Sequence, residues 1–97
     1  MTAVRDLTWR IAPGQRLVFE DMDDGVLLYD SLVGRTHLLN ATAAETLTVL
    51  ERNPGLTSDA IRRHVTEALD LPVDALPLSA VEELLDWFER LGILVAR

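Results

Sequence analysis

A strand-like run passes directly into a helical pattern in residues 36–47, THLLNATAAETL, and this junction constrains the fold more than any other feature of the sequence. Residues 36–39 have the character of a strand. Asn40 follows without a linker, and its side-chain oxygen can accept a hydrogen bond from a free amide in the first turn of a helix. The small residues Ala43 and Ala44 let that helix approach the sheet closely. We therefore expect the edge of this strand to be fixed relative to the helices.

Two more strands are predicted before the junction. Residues 16–21 (RLVFED) and 26–30 (VLLYD) flank an Asp-Gly step, and such a step between apolar runs is a strong signal for a β-hairpin. A second turn, residues 30–34, then leads into the third strand, residues 35–39. The N-terminal half is thus expected to form a three-stranded antiparallel sheet.

Three helical patterns follow the strands. The first begins after Asn40 and ends at residues 53–55 (NPG), and the second begins after Thr57, which is its expected cap. The third is expected to begin at the capping-box pattern of residues 79–82 (SAVE) and to end near Gly92.

The order of these elements predicts an α+β fold, three strands followed by three helices, which resembles a winged helix with its sheet placed first. The chain of 97 residues is 48% hydrophobic, which suits one folded domain, residues 1–97, with a modest core. Residues 9–11 could add a short strand, and residues 93–95 could return to the core as an extended segment.

Composition excludes several classes of function. The absence of cysteine removes disulfides and thiolate sites, so a cytoplasmic location is the default expectation. No apolar run approaches the roughly 20 residues of a membrane span. The formal net charge of −7 disfavours contact with a phosphate backbone, because the nine basic residues are mostly scattered among acids. We expect neither a membrane nor a nucleic acid as partner.

Catalytic motifs are also missing from the sequence. His37 and His64 lie on different predicted elements, with no cysteine and no Glu-x-x-His spacing to complete a metal site. There is no Gly-x-Ser-x-Gly elbow and no glycine-rich phosphate loop. The sequence therefore predicts a protein that is not an enzyme and needs no metal or cofactor.

The third helix is more apolar than a core-facing helix requires. At about 100° per residue, its expected core stripe consists of Val81, Leu84, Leu85, Phe88 and Leu91. Ala80 and Trp87 widen this arc to roughly half of the helix circumference.

The margin formed by Ala80, Leu84, Trp87 and Leu91 and bordered by Glu83 has two interpretations. Trp87 could simply cover an edge of the core. Alternatively, the margin is one wall of a groove beside the exposed edge of the third strand, where an extended peptide could add as a further strand. Trp9 is a weaker candidate of the same kind and is expected to cover the sheet instead.

The residues at the strand–helix junction resemble a known family. Residues 37–47 (HLLNATAAETL) are similar to the Leu-Asn-x-Thr-Ala-x-x-(Ile/Leu)-Leu signature of PqqD-like proteins. Residues 19–30 and 34–40 resemble the subgroup of PqqD-family peptide chaperones from HPr-kinase-related (HPr-rel-A) systems, and the similarity extends over roughly residues 9–95. One departure is the NPG turn at residues 53–55, where PqqD itself usually carries Asp-Gly, and it argues against a role in pyrroloquinoline quinone assembly.

The resemblance implies a bacterial peptide-recognition module, a recognition element for ribosomally made and post-translationally modified peptides (RiPPs). In such modules a leader peptide pairs with the third strand and packs against the third helix. Carried over by position, the peptide-binding residues are Arg35, Thr36, His37 and Leu38 on the strand and Ala80, Glu83, Leu84 and Trp87 on the helix. The helix set also follows from the helical spacing, whereas the strand set depends mainly on the resemblance.

The favoured function is that of a non-catalytic peptide chaperone, which binds the leader of a precursor peptide and presents it to a modifying enzyme. The resemblance also implies that this modifying enzyme is related to HPr kinase. One alternative is an adaptor subunit that binds a kinase-like protein and no peptide. A winged-helix DNA-binding regulator is less favoured, because the third helix carries four acids and only Arg90 as a base.

Overall fold

The computed structural model describes residues 7–97. Its elements are, in chain order, β1 (Trp9–Ile11), β2 (Leu17–Met22), β3 (Gly25–Asp30), β4 (Arg35–Leu39), α1 (Ala41–Arg52), α2 (Ser58–Ala68), a short 3₁₀ helix (Val73–Ala75), α3 (Leu78–Arg90) and β5 (Leu94–Ala96). The fold is α+β, and the predicted order of an antiparallel three-stranded sheet followed by three α-helices is confirmed over this range. None of the helices in residues 7–97 combines the length and apolar character that a membrane span requires.

The three-stranded sheet has the order β2-β3-β4 with both pairs antiparallel. Its register places Leu28 opposite His37 and Val26 opposite Leu39. Within residues 7–97 no strand pairs with the other side of β4. The strand that leads into α1 is therefore an edge strand.

One face of the three-stranded sheet is turned away from the helices, and it is unusually apolar for an exposed surface. Val18, Tyr29 and Leu38 alternate with inward-facing residues along their strands, and each is well exposed, Leu38 to 58%. We call these three side chains the outer sheet face.

The two extended segments near the ends of the described chain pair with each other. β1 and β5 form a separate antiparallel ladder that places Trp9 opposite Ala96. The amide of Trp9 also donates to the carbonyl of Leu56, and its carbonyl accepts from the amide of Gly55, both at 2.8 Å. Trp9 is only 6% exposed, so it belongs to the core and is not available as a groove residue.

The strand–helix junction has the predicted geometry. Asn40 has extended backbone angles, φ −78° and ψ 174°, and its Oδ1 accepts a hydrogen bond of 2.8 Å from the amide of Ala43. Ala43 and Ala44 are both buried, which lets α1 lie against β3 and β4. The cap and the close packing together fix the end of β4 relative to the helices.

The predicted capping box of α3 is wrong. The helix begins at Leu78, with Pro77 in the cap position and no side chain bonded to the free amides. Ser79 therefore lies inside the first turn, where its hydroxyl cannot act as the N-cap. The fixed φ of Pro77, −63°, suits a helix start, and this backbone preference places the first turn earlier than the side-chain pattern indicates.

The core forms where the inner face of the sheet meets one face of each helix. Its fully buried large side chains include Leu28 and Leu39 from the sheet, Leu47 and Leu50 from α1, Ile61 and Val65 from α2, and Val81, Leu85 and Phe88 from α3. Of the core stripe predicted on α3, Val81, Leu85 and Phe88 are buried, whereas Leu84 and Leu91 are only partly buried. The partial burial leaves one margin of α3 at the surface.

Replacing Asn40 by alanine should lower the free energy of unfolding by about 1 kcal/mol with the fold retained, because the Ala43 amide loses its acceptor. Urea denaturation monitored by circular dichroism measures the loss. Asn40→Asp is the matched control, since a carboxylate can accept the same hydrogen bond and should keep the midpoint near that of the wild type. A midpoint unchanged by alanine would show that this cap does not stabilise α1.

Candidate functional site

The strand half of the candidate site divides between the two faces of the sheet. Arg35 and His37 lie on the same face as buried Leu39, towards the helices, whereas Thr36 and Leu38 lie on the other face. His37 is half-buried, and the other three candidates on β4 are exposed. Of these four residues, only Arg35 and His37 therefore face the side of the sheet on which the helices lie.

The helix half of the candidate site lies along the partly buried margin of α3. Ala80, Leu84 and Trp87 are half-buried, and Glu83 is exposed beside them. The Trp87 ring packs on Phe88 with ring centroids 5.1 Å apart and an interplanar angle of 41°. Trp87 thus has one side against the core and is still accessible in part from outside.

One contact joins the strand half to the helix half. The rings of His37 and Trp87 meet edge to face, with centroids 6.1 Å apart and an interplanar angle of 82°. This arrangement is favourable for aromatic pairs. It brings the free edge of β4 next to the apolar margin of α3, and we call the surface between them the β4–α3 groove.

The groove contains a polar atom without a partner. Nε2 of His37 is buried, and no atom of residues 7–97 forms a hydrogen bond with it. Buried side-chain nitrogens in folded proteins almost always have a partner, so this one needs an explanation.

The exposed charges on α3 are predominantly negative. The exposed acids on α3 are Glu82, Glu83, Asp86 and Glu89. In the described part of the chain the ion pairs are those of Asp59 with Arg62 and Arg63 on α2, at 3.2 and 3.5 Å, so the α3 acids have no paired base. Glu83 borders the groove, and the surplus of acids on α3 as a whole favours a ligand that carries basic residues.

Two surface depressions lie away from the groove. One, of about 350 Å³, is lined by residues of α2: Ala60, Arg63, His64 and Glu67. The other, of about 340 Å³, lies between β1 and the end of α1 and is lined by Arg10, Ile11, Gln15, Leu50, Glu51 and Pro54. At its rim, partial burial raises the pKa of the Glu51 carboxyl, an effect that neighbouring Arg52 opposes. Both depressions are open and contain no arrangement of nucleophile and base.

Metal-binding groups are not brought together in residues 7–97, where no cluster of three or more His, Asp or Glu side chains could hold an ion. His37 is on β4 and His64 on α2.

Comparison with known proteins gives one informative match. No protein-family model matches the chain, and no curated protein matches it. Among solved structures, the chain is similar to the solution structure of the PqqD truncation of Methylobacterium extorquens PqqCD. The TM-score is 0.61 at 18% sequence identity, over 91% of this chain and 88% of that one. The chain has a PqqD-like fold. The neighbour represents a functional, stand-alone RiPP recognition element.

The close approach of β3 and β4 requires a glycine that the sequence identified only as part of a turn. Gly25 begins β3 with φ +154°, and a Cβ atom at this position would collide with the carbonyl oxygen of Leu39 on β4. Asp23 and Asp24, which form the turn itself, do not have positive φ. The glycine therefore permits close approach of the edge strand, and the Asp-Gly step was the available signal for it.

Proposed function

We propose that this chain is a non-catalytic, cytoplasmic recognition element that binds the leader of a ribosomal precursor peptide in the β4–α3 groove and presents it to a modifying enzyme. The observation that carries the proposal is the contact between His37 and Trp87, which joins a strand edge unpaired within residues 7–97 to an apolar helix margin.

An edge strand offers its ligand a regular set of backbone hydrogen bonds. Alternate N–H and C=O groups along the outer side of β4 point away from β3, and an extended peptide can pair with them. The side chains of that peptide would then lie against Leu84 and Trp87 on α3, which gives selectivity in addition to affinity. The remaining candidate contacts are Arg35, Thr36, Leu38, Ala80 and Glu83.

The fold likeness supports the same function independently of the residues. The PqqD neighbour is described as a stand-alone RiPP recognition element, and its fold extends over nearly all of both chains. We also propose, more specifically, that the modifying enzyme is HPr-kinase-related. This proposal is supported only by the resemblance of residues 19–30 and 34–40. The unpaired acids on α3 support a leader with basic residues.

A displayed library of randomised 12-residue peptides provides a probe for this function. Peptides captured by the purified domain are synthesised and added to the ¹⁵N-labelled protein. We expect amide resonances of β4 and of the α3 margin to shift, and amides of the peptide to become protected from exchange. His64→Ala, in the α2 depression, is a control that should not alter binding. Failure to capture any peptide, or shifts confined to residues outside the groove, would contradict the proposal.

A further inference from the structure

The unpartnered nitrogen of His37 indicates what the groove selects. The ring lies on the inner face of β4, opposite Leu28, and its Nε2 is buried without a hydrogen bond in residues 7–97. Leaving a buried polar atom unsatisfied costs free energy. A ligand that supplies the missing partner recovers this cost on binding, so the atom is a source of selectivity.

The walls of the groove offer no partner of their own. Trp87 meets the imidazole edge to face and forms no hydrogen bond with its Nε2. The other α3 margin residues, Ala80 and Leu84, have apolar side chains. Leu28, the neighbour of His37 on β3, is fully buried and also apolar. Residues 7–97 thus supply no hydrogen bond to Nε2, and a bound ligand could supply one.

A peptide that adds to β4 would bring a side chain to the required place. In a paired strand one residue lies directly opposite His37, with Cβ atoms about 4.5–5.5 Å apart and both side chains on the same face. That face is the one towards Trp87. The side chain opposite His37 would thus lie against both rings.

The surroundings of His37 restrict the chemistry of this side chain. A carboxylate would add negative charge near exposed Glu83, on a domain whose net charge is already −7. A lysine or arginine would have to bury its charge beside an apolar wall, which is costly. A hydroxyl or a carboxamide both donates and accepts, so it satisfies either tautomer of a neutral imidazole without adding charge.

We propose that His37 is a specificity-determining residue, which selects an uncharged hydrogen-bonding side chain (Ser, Thr, Asn or Gln) at the leader position that pairs opposite it. This inference rests on the proposed function, because it requires a peptide paired with β4.

The test compares threonine with valine, which has nearly the same shape, at one position of a bound peptide. The probe is a peptide captured from the 12-residue library, and the position opposite His37 is found from cross-relaxation between the peptide and the imidazole ring. Dissociation constants of the Thr and Val peptides are then measured by calorimetry for the wild type and for His37→Phe. The phenylalanine keeps a ring against Trp87 and removes the nitrogen.

We expect the wild type to bind the Thr peptide at least tenfold more tightly than the Val peptide, and His37→Phe to discriminate less than twofold. Equal binding of both peptides by the wild type would overturn the inference and leave the proposed function intact, because the groove would still bind peptide. Retention of the tenfold preference by His37→Phe would overturn it as well. If no captured peptide pairs with β4, the proposed function fails, and this inference fails with it. If the variant folds poorly, the wild-type comparison still tests the inference, because equal binding of the two peptides overturns it.

Discussion

Replacing Trp87 by alanine is expected to weaken the binding of a captured leader-like peptide roughly thirtyfold. Trp87 is the large side chain of the α3 margin and contacts His37 across the groove. Aromatic anchors at interface centres often cost about 2 kcal/mol when truncated, which corresponds to this change in the dissociation constant. Titration calorimetry measures the affinity, and Trp87→Phe is the matched control that keeps an aromatic ring and should lose much less.

The same variant distinguishes a groove residue from a core residue. Because Trp87 is only half-buried, we expect Trp87→Ala to lower the free energy of unfolding by about 1–3 kcal/mol. A fully buried aromatic residue typically costs about 3–5 kcal/mol. If the loss of stability were that large while the folded fraction bound peptide with unchanged affinity, Trp87 would be a core residue and the groove would lose its main anchor.

Replacing Gly25 by alanine should produce the largest loss of stability, about 3 kcal/mol. The new methyl group would collide with the Leu39 carbonyl oxygen, which is a backbone atom and cannot rotate away, and the residue would keep a φ of +154°. Because Leu39 is in β4, relief of the collision must move the edge strand. We therefore expect peptide affinity to fall together with stability.

Gly34→Ala is the matched control, because Gly34 also has positive φ, +69°, but a Cβ atom there would meet nothing within 4 Å. It carries the conformational cost of about 1–2 kcal/mol without the collision. Urea denaturation of both variants isolates the contribution of the contact. Equal losses in the two variants would show that close approach to Leu39 is not what requires Gly25.

Local chemistry explains most of what could be predicted from the sequence. The Asn40 cap, the Thr57 cap and the ends of α1 depend on side chains within a few residues of each other, and the structure has them in place. The same reasoning misplaced the start of α3, because the pattern at Ser79 ignores the backbone preference of Pro77. A side-chain capping pattern does not locate a helix start when a neighbouring proline restricts the backbone more strongly than the capping side chain does.

Contacts between distant parts of the chain could not be predicted in the same way. The pairing of β1 with β5 and the contact of His37 with Trp87 join segments far apart in sequence, and no periodic pattern encodes their distance. The eight candidate residues lie on β4 and α3, the strand and helix predicted to carry them, and their role in peptide binding stays a prediction. Strand alternation alone would have separated Thr36 and Leu38 from the groove, since their side chains point to the opposite face.

The outer sheet face has a consequence for any third molecule that must distinguish an occupied domain from an empty one. A peptide that adds to β4 would direct alternate side chains into the groove and the others outward, next to Leu38. The exposed apolar surface of Val18, Tyr29 and Leu38 would then continue onto the peptide itself. An enzyme docking there would contact a surface composed of both chains, and that composite surface would exist only while a peptide was bound.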